Sequence, residues 1–174
     1  MIRKPIGAVQ GVTTQLGLLR TRPQTDADES FLSHLFESVK GADFAQMPIS
    51  PAAQLHLLQM QYHAMNESYR ASYPDAAFEI ITLDDMPIGR LICDAMKDRL
   101  QVVYIALVTD WRHRGLGTTL MRVLLEQAES LHLDCQATVA IDNLPSLGLW
   151  AKLGFFERSR DAVNVVVVWQ PAVT

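Results

Sequence analysis

The run Tyr104-Ile105-Ala106-Leu107-Val108-Thr109-Asp110-Trp111-Arg112-His113-Arg114-Gly115-Leu116-Gly117-Thr118 holds most of the chemistry legible in the sequence. An apolar stretch passes into a short loop with two arginines and two glycines, and that loop opens a helix-like pattern. Glycine lets a backbone turn with positive φ and approach a ligand closely, while a helix N-terminus presents unpaired N–H groups and the positive end of a dipole. Arg112 and Arg114 add fixed positive charge. The combination suits a phosphate or pyrophosphate held by charge-assisted hydrogen bonds. The alternative is an ordinary solvated strand-to-helix turn. A P-loop is excluded, because Gly117 is followed by Thr118-Thr119 rather than by Lys and a hydroxyl residue. A dinucleotide fingerprint is excluded as well, because its third glycine is missing.

A second pattern lies downstream, in Asn143-Leu144-Pro145-Ser146-Leu147-Gly148-Leu149-Trp150-Ala151-Lys152-Leu153-Gly154-Phe155. The two segments together resemble the GNAT superfamily of acyl-CoA-dependent N-acyltransferases. Arg112, Gly115 and Gly117 match its R/Q-x-x-G-x-G/A signature, and the second segment is similar to its asparagine, short helix, aromatic and closing Leu-Gly-Phe. The resemblance implies an acetyl-CoA co-substrate bound in a notch between two splayed parallel strands. The backbone of Leu107, Val108 and Thr109 would pair with the pantetheine arm. The amides of His113, Arg114, Gly115, Leu116, Gly117 and Thr118, beside Arg112, would hold the pyrophosphate. Asn143 would contact the pantetheine and Trp150 would lie near the sulfur. Read from the residues alone, Asn143 is equally a helix cap and Trp150 a core aromatic.

The implied reaction is direct acetyl transfer, in a ternary complex, to an amine of a small molecule or peptide. Such chemistry needs a neutral nucleophile, donors for the oxyanion and a route for the thiolate. The strand before the loop offers Gln101 and Tyr104 but no carboxylate. Tyr104 is the candidate for a water relay, and a packed core tyrosine is the alternative. Where many relatives carry a tyrosine as general acid this chain has Trp150, whose indole does not ionise in the relevant range. Glu79, Asp94, His63 and Tyr62 remain as groups able to reach a substrate cleft, and Gln59, Tyr62, His63, Tyr69 and Tyr73 make the acceptor region polar and aromatic. These departures motivate a second reading, a GNAT-fold module that binds or senses acyl-CoA with little catalysis. A third is a scaffold whose Val165-to-Val168 strand pairs with a partner at a sheet edge.

The elements that must position these residues follow from period. Leu16 to Arg20 reads as a first strand, and Met1 to Thr14 as a frayed end. A helix runs from about Glu29 to Lys40, with Phe31, Leu32, Leu35, Phe36 and Val39 at helical spacing and Gly41 as its stop. A second helix starts at Ser50-Pro51 and ends before Tyr73-Pro74-Asp75. Phe78, Ile80 and Ile81 lead into Asp84-Asp85-Met86-Pro87 and Ile88 to Cys93 leads away, which reads as a hairpin. Leu100 to Val108 is apolar enough to be central and buried on both faces. Gly115 to Leu131 is an amphipathic helix. A strand from Cys135 to Ile141, a short helix from Pro145 to Leu153, and strands at Phe155 to Arg158 and Asn164 to Trp169 complete an α/β chain. The family's fold would be a mixed, mostly antiparallel sheet of about six to seven strands with about four helices, over residues 1–174 as one domain.

Composition removes other classes. Of 174 residues, 49% are hydrophobic and 20% charged, which excludes disorder. A net charge of -4 excludes the broad basic footprint of a nucleic-acid binder. Cys93 and Cys135 lie in apolar runs without metal spacing, so both read as buried thiols and no metal site is expected. Gln10, Thr13, Thr14 and Gln15 interrupt any signal-peptide core after Arg3 and Lys4, and no apolar run nears the roughly 20 residues of a membrane span. No membrane partner is expected, and cytoplasm is the simplest location. A homodimer is left open.

Overall fold

The computed structural model describes residues 7–172. The sheet has eight strands: β1 (Val12–Thr14), β2 (Gly17–Pro23), β3 (Ala77–Leu83), β4 (Met86–Ala95), β5 (Arg99–Leu107), β6 (Asp134–Ala140), β7 (Phe156–Arg160) and β8 (Asn164–Trp169). Their order across the sheet is β1-β2-β3-β4-β5-β6-β8-β7, and every neighbouring pair is antiparallel except β5 with β6. Helices α1 (Glu29–Ala45) and α2 (Pro51–Ser72) pack on one face, and α3 (Leu116–Ser130) and α4 (Leu144–Lys152) belong to the larger core on the other.

Sequence explains most boundaries. Ser50 accepts from the Ala53 amide and places Pro51 in the first turn of α2. The β3–β4 turn puts Asp84 and Asp85 in the left-handed region, at φ 47° and 67°, as a two-residue hairpin demands. The stripe Leu116, Leu120, Met121, Leu124 and Ala128 of α3 is buried against the sheet.

Four expectations need correction. Gly41 does not stop α1; its φ is not positive, and the helix continues to Ala45 because Phe44, 7% exposed, joins the layer that α1 shares with α2. The sheet has one strand more than expected, Val12–Thr14, paired in a tight hairpin with β2. Residues 7–14 are not frayed. Val9 is 1% exposed, exchanges hydrogen bonds with Thr21, and the Gln127 side chain bonds Gly7 and Ala8. The remainder of that expected frayed end, residues 1–6, lies outside the described residues. Finally, β8 is not an edge. It pairs with β6 on one side and β7 on the other, which removes the motive for a scaffold reading.

Candidate functional site

The parallel pair β5–β6 holds together only from Arg99↔Asp134 to Val102↔Ala137. Beyond that β6 stays with β8 while β5 departs. The register against β4 shows why: Ile92 faces Tyr104 and Cys93 faces Val102, leaving Val103 as an extra residue. A bulge bends its strand and increases local twist, and here it opens a notch between Val103–Leu107 and Thr138–Ala140. Val108 donates to the Ile88 carbonyl on the β4 side, so by alternation the peptide groups of Ile105 and Leu107 face the notch.

At the end of the notch, Thr109–Trp111 forms one 3-10 turn and the loop passes through two left-handed residues, His113 at φ 58° and Gly115 at φ 80°. Gly115 caps α3 without any side-chain bond, and no acidic residue occupies the first turn. The first intrahelical bond is Thr119 to Gly115, leaving the amides of Leu116, Gly117 and Thr118 without an i−4 partner. A Cβ added to Gly115 or Gly117 would meet nothing within 4 Å. The cradle is therefore open space lined by N–H groups, and its shape and polarity fit a pyrophosphate.

Arg112 is corrected by the structure. Its Nε donates to the Leu107 carbonyl at 2.7 Å and its Nη2 to Ser38 O and Oγ at 3.3 Å each. The guanidinium ties the loop to β5 and α1, with Nε and Nη2 engaged by neutral acceptors of the protein itself. Arg114, by contrast, is exposed and lies over the Trp111 ring, 5.2 Å from its centroid.

Tyr104 and Ala106 lie on the face of β5 turned toward α1 and α2. Tyr104 packs on Tyr69, ring centroids 5.9 Å apart, and burial pushes its hydroxyl up to about 12. At neutral pH its hydroxyl is therefore protonated. Beside it, across from Ala106, stands Arg90, 2% exposed and bonded through Nη1 to Asn66 Oδ1 at 2.6 Å. Asp94 is on this same face opposite Gln101, and burial raises its carboxyl. It is the one carboxylate in β4 and β5. Glu79 faces the opposite layer, opposite Leu91, and so does not share the cleft of Tyr104. Tyr62 is buried and donates to Glu29 Oε2 at 3.1 Å. His63 and Gln59 line an α1–α2 groove of about 670 Å³.

Both downstream residues take their structural roles. The Asn143 side chain accepts from the Ser146 amide at 3.2 Å as the cap of α4, with its own NH₂ free. Trp150 is 2% exposed, stacks edge-on with Phe155 at 4.8 Å, and donates its indole N–H to Ser146 Oγ at 3.1 Å. The indole N–H that could have met developing charge on the sulfur is thus already engaged with Ser146. Both thiols are buried, with Cys93 pushed well up and Cys135 to about 12. Among the described residues no cluster of His, Cys, Asp or Glu could hold a metal, and no helix is long and apolar enough to cross a membrane. Arg90 and Asn66 were missed in the sequence. The available signal was a lone arginine inside the apolar run Ile88-Gly89-Arg90-Leu91-Ile92.

Residues 47–155 match the model of the Acetyltransferase (GNAT) family. Among curated protein sequences none matches. Solved structures are similar in fold. PaiA N-acetyltransferase from Thermoplasma acidophilum in complex with coenzyme A shares 18% identity over 87% of this chain and 98% of that one, with a TM-score of 0.65. An acetyltransferase from Thermus thermophilus shares 16% over 87% and 96%, with a TM-score of 0.64. Arabidopsis thaliana Naa50 in complex with a bisubstrate analogue shares 16% over 87% and 98%, with a TM-score of 0.59.

Proposed function

Since the chain belongs to the GNAT family of acetyltransferases, we propose that it is an acetyl-CoA-dependent N-acetyltransferase working by direct transfer to an amine. The observation that carries this is the uncapped start of α3 at Gly115, opening onto the notch where β5 leaves β6. Structures of family fold that contain coenzyme A or its bisubstrate analogue support the choice of co-substrate. The amides of His113 to Thr118 take the pyrophosphate. The Leu107 amide pairs with the pantetheine as strand with strand, and the free NH₂ of Asn143 reaches it from β6's end. Val108, expected in the same pairing, does not join it, because its amide donates to the Ile88 carbonyl and its carbonyl accepts from Trp111, and Thr109 closes the turn beneath. Residues 1–174 act as one unit, in keeping with a continuous sheet from Val12 to Trp169.

In the transfer, the amine nitrogen bonds to the acetyl carbon and the carbon–sulfur bond breaks. The leaving thiol has an ordinary pKa near 8.5 and departs as thiolate without a dedicated acid, which agrees with the committed indole of Trp150. The amine's proton passes to water on the Tyr104 hydroxyl, with Asp94 as the basic group on that face. The acceptor enters from the α1–α2 side, where Tyr104 and Ala106 are half-buried. Release of free thiol from acetyl-CoA, dependent on added amine, tests the reading. Stabilisation by acetyl-CoA without amine-dependent release would favour a binding module instead.

A further inference from the structure

We propose that the acceptor amine also carries a carboxylate, and that Arg90 on β4 is the group that receives it; this rests on the acetyltransferase reading. Arg90 is 2% exposed, yet its Nε and Nη2 have no hydrogen-bond partner. Nη1 is already held by Asn66 at 2.6 Å. The two free donors are not an arbitrary pair. Nε–H and the adjacent Nη2–H run parallel along one side of the guanidinium, which is the fork that binds both oxygens of a carboxylate.

The surroundings sharpen the requirement. No carboxylate of the described residues forms an ion pair with Arg90, while Arg70 adds a second cation. The two guanidiniums share one aromatic ring, Arg70 Cζ at 4.6 Å and Arg90 Cζ at 5.5 Å from the Phe78 centroid. An unpaired buried cation is costly unless an anion joins it. The remaining neighbours are phenols, Tyr62, Tyr69 and Tyr104, and burial raises all three, so they are hydrogen-bond donors at neutral pH rather than counter-charges.

Position ties this cation to the reaction. Arg90 is the cross-strand partner of Ala106, next to Leu107, whose peptide faces the notch. Asn66, Tyr69, Phe78, Tyr104 and Ala106 around it are each half-buried, so one layer of side chains separates it from solvent. A carboxylate seated here leaves an amine a few bonds away directed to the end of β5. That geometry favours amino-acid-like acceptors and disfavours polycations such as polyamines and aminoglycosides, which Arg70 and Arg90 repel.

Two assays test this separately from the transfer reading. In thiol release, alanine and β-alanine should exceed alaninamide and ethylamine by about ten- to a hundredfold in kcat/KM, the worth of a charged bidentate contact. Arg90→Gln should collapse that preference to within about twofold, and Asn66→Ala, which keeps the cation but frees its tether, should lower it partly. In heat stability without acetyl-CoA, succinate or N-acetylalanine should raise the native Tm but not that of Arg90→Gln. Neutral amines preferred by the native enzyme, or an equal carboxylate response in native and Arg90→Gln proteins, would overturn the proposal while leaving acetyl transfer intact. Carboxylate stabilisation that depends on Arg90, without turnover of any amine, would support the anion site and remove the transfer reading.

Discussion

Replacing Arg112 with Ala separates a strut from a phosphate ligand. In the structure its guanidinium makes one short bond to the Leu107 carbonyl, 2.7 Å, and shares Nη2 between Ser38 O and Oγ at 3.3 Å. A hydrogen bond from a charged donor contributes about 1.5–3 kcal/mol, and the two long bonds and partial exposure reduce rather than multiply that figure. A loss of about 2 kcal/mol follows for the apo protein, or roughly 4–8 °C in Tm for a chain of this size. Arg114→Ala is the contrast, because that side chain is exposed and only stacks on Trp111. Its apo Tm should move by less than about 2 °C, since such contacts contribute about 0.5 kcal/mol, while its Kd for acetyl-CoA rises and loses part of its salt dependence. Differential scanning fluorimetry with and without acetyl-CoA reads both effects. An apo Tm unchanged in Arg112→Ala, together with a lost acetyl-CoA response, would refute the strut and make Arg112 a direct ligand.

Gly117→Asp should leave the apo fold intact, since its Cβ meets nothing within 4 Å, and abolish acetyl-CoA stabilisation by placing negative charge in the cradle; calorimetric titration reads the loss. Trp150→Phe removes the bond to Ser146 Oγ and leaves a cavity where the larger indole packed beside Phe155, so stability should fall by about 2–3 kcal/mol with kcat unchanged within about twofold. A tenfold loss of kcat in a folded Trp150→Phe protein would restore the indole as a participant. Asp28 is paired with Arg22 at 2.6 Å, which holds its carboxyl at about 2, below the ordinary 3.8. That stabilisation is present above the ordinary value and is lost as pH falls from about 5 toward 2, at most about 2 kcal/mol. Urea melts across this range should show the acid limb, and Arg22→Gln should flatten it.

Local signals carried the sequence reading far. The hairpin at Asp84-Asp85, the Ser50-Pro51 start of α2 and the stripe of α3 each encode their element within a few residues. The cradle was legible because Gly115 and Gly117 act through their own backbone. What failed was non-local. Whether Gly41 ends a helix depended on Phe44 finding a buried layer, and the short β1 exists only through pairing with β2. Arg112 looked like phosphate-binding charge until Leu107 and Ser38, five and seventy-four residues away, claimed its donors. Trp150 matched a catalytic position by spacing, yet Ser146 and Phe155 hold it in the core. Arg90 became visible only when α2 brought Asn66 and Tyr69 over β4 and β5.

We propose that the notch and cradle between β5, β6 and α3 bind acetyl-CoA for transfer to an amine. The most direct measurement is free-thiol release from acetyl-CoA by the native protein across amino acids, peptides, polyamines and aminoglycosides, run beside Gly117→Asp. Amine-dependent release is expected from the native protein with at least one acceptor, and none above background from the folded Gly117→Asp protein. Equal release by both proteins, or no release with any amine at saturating acetyl-CoA, would contradict it.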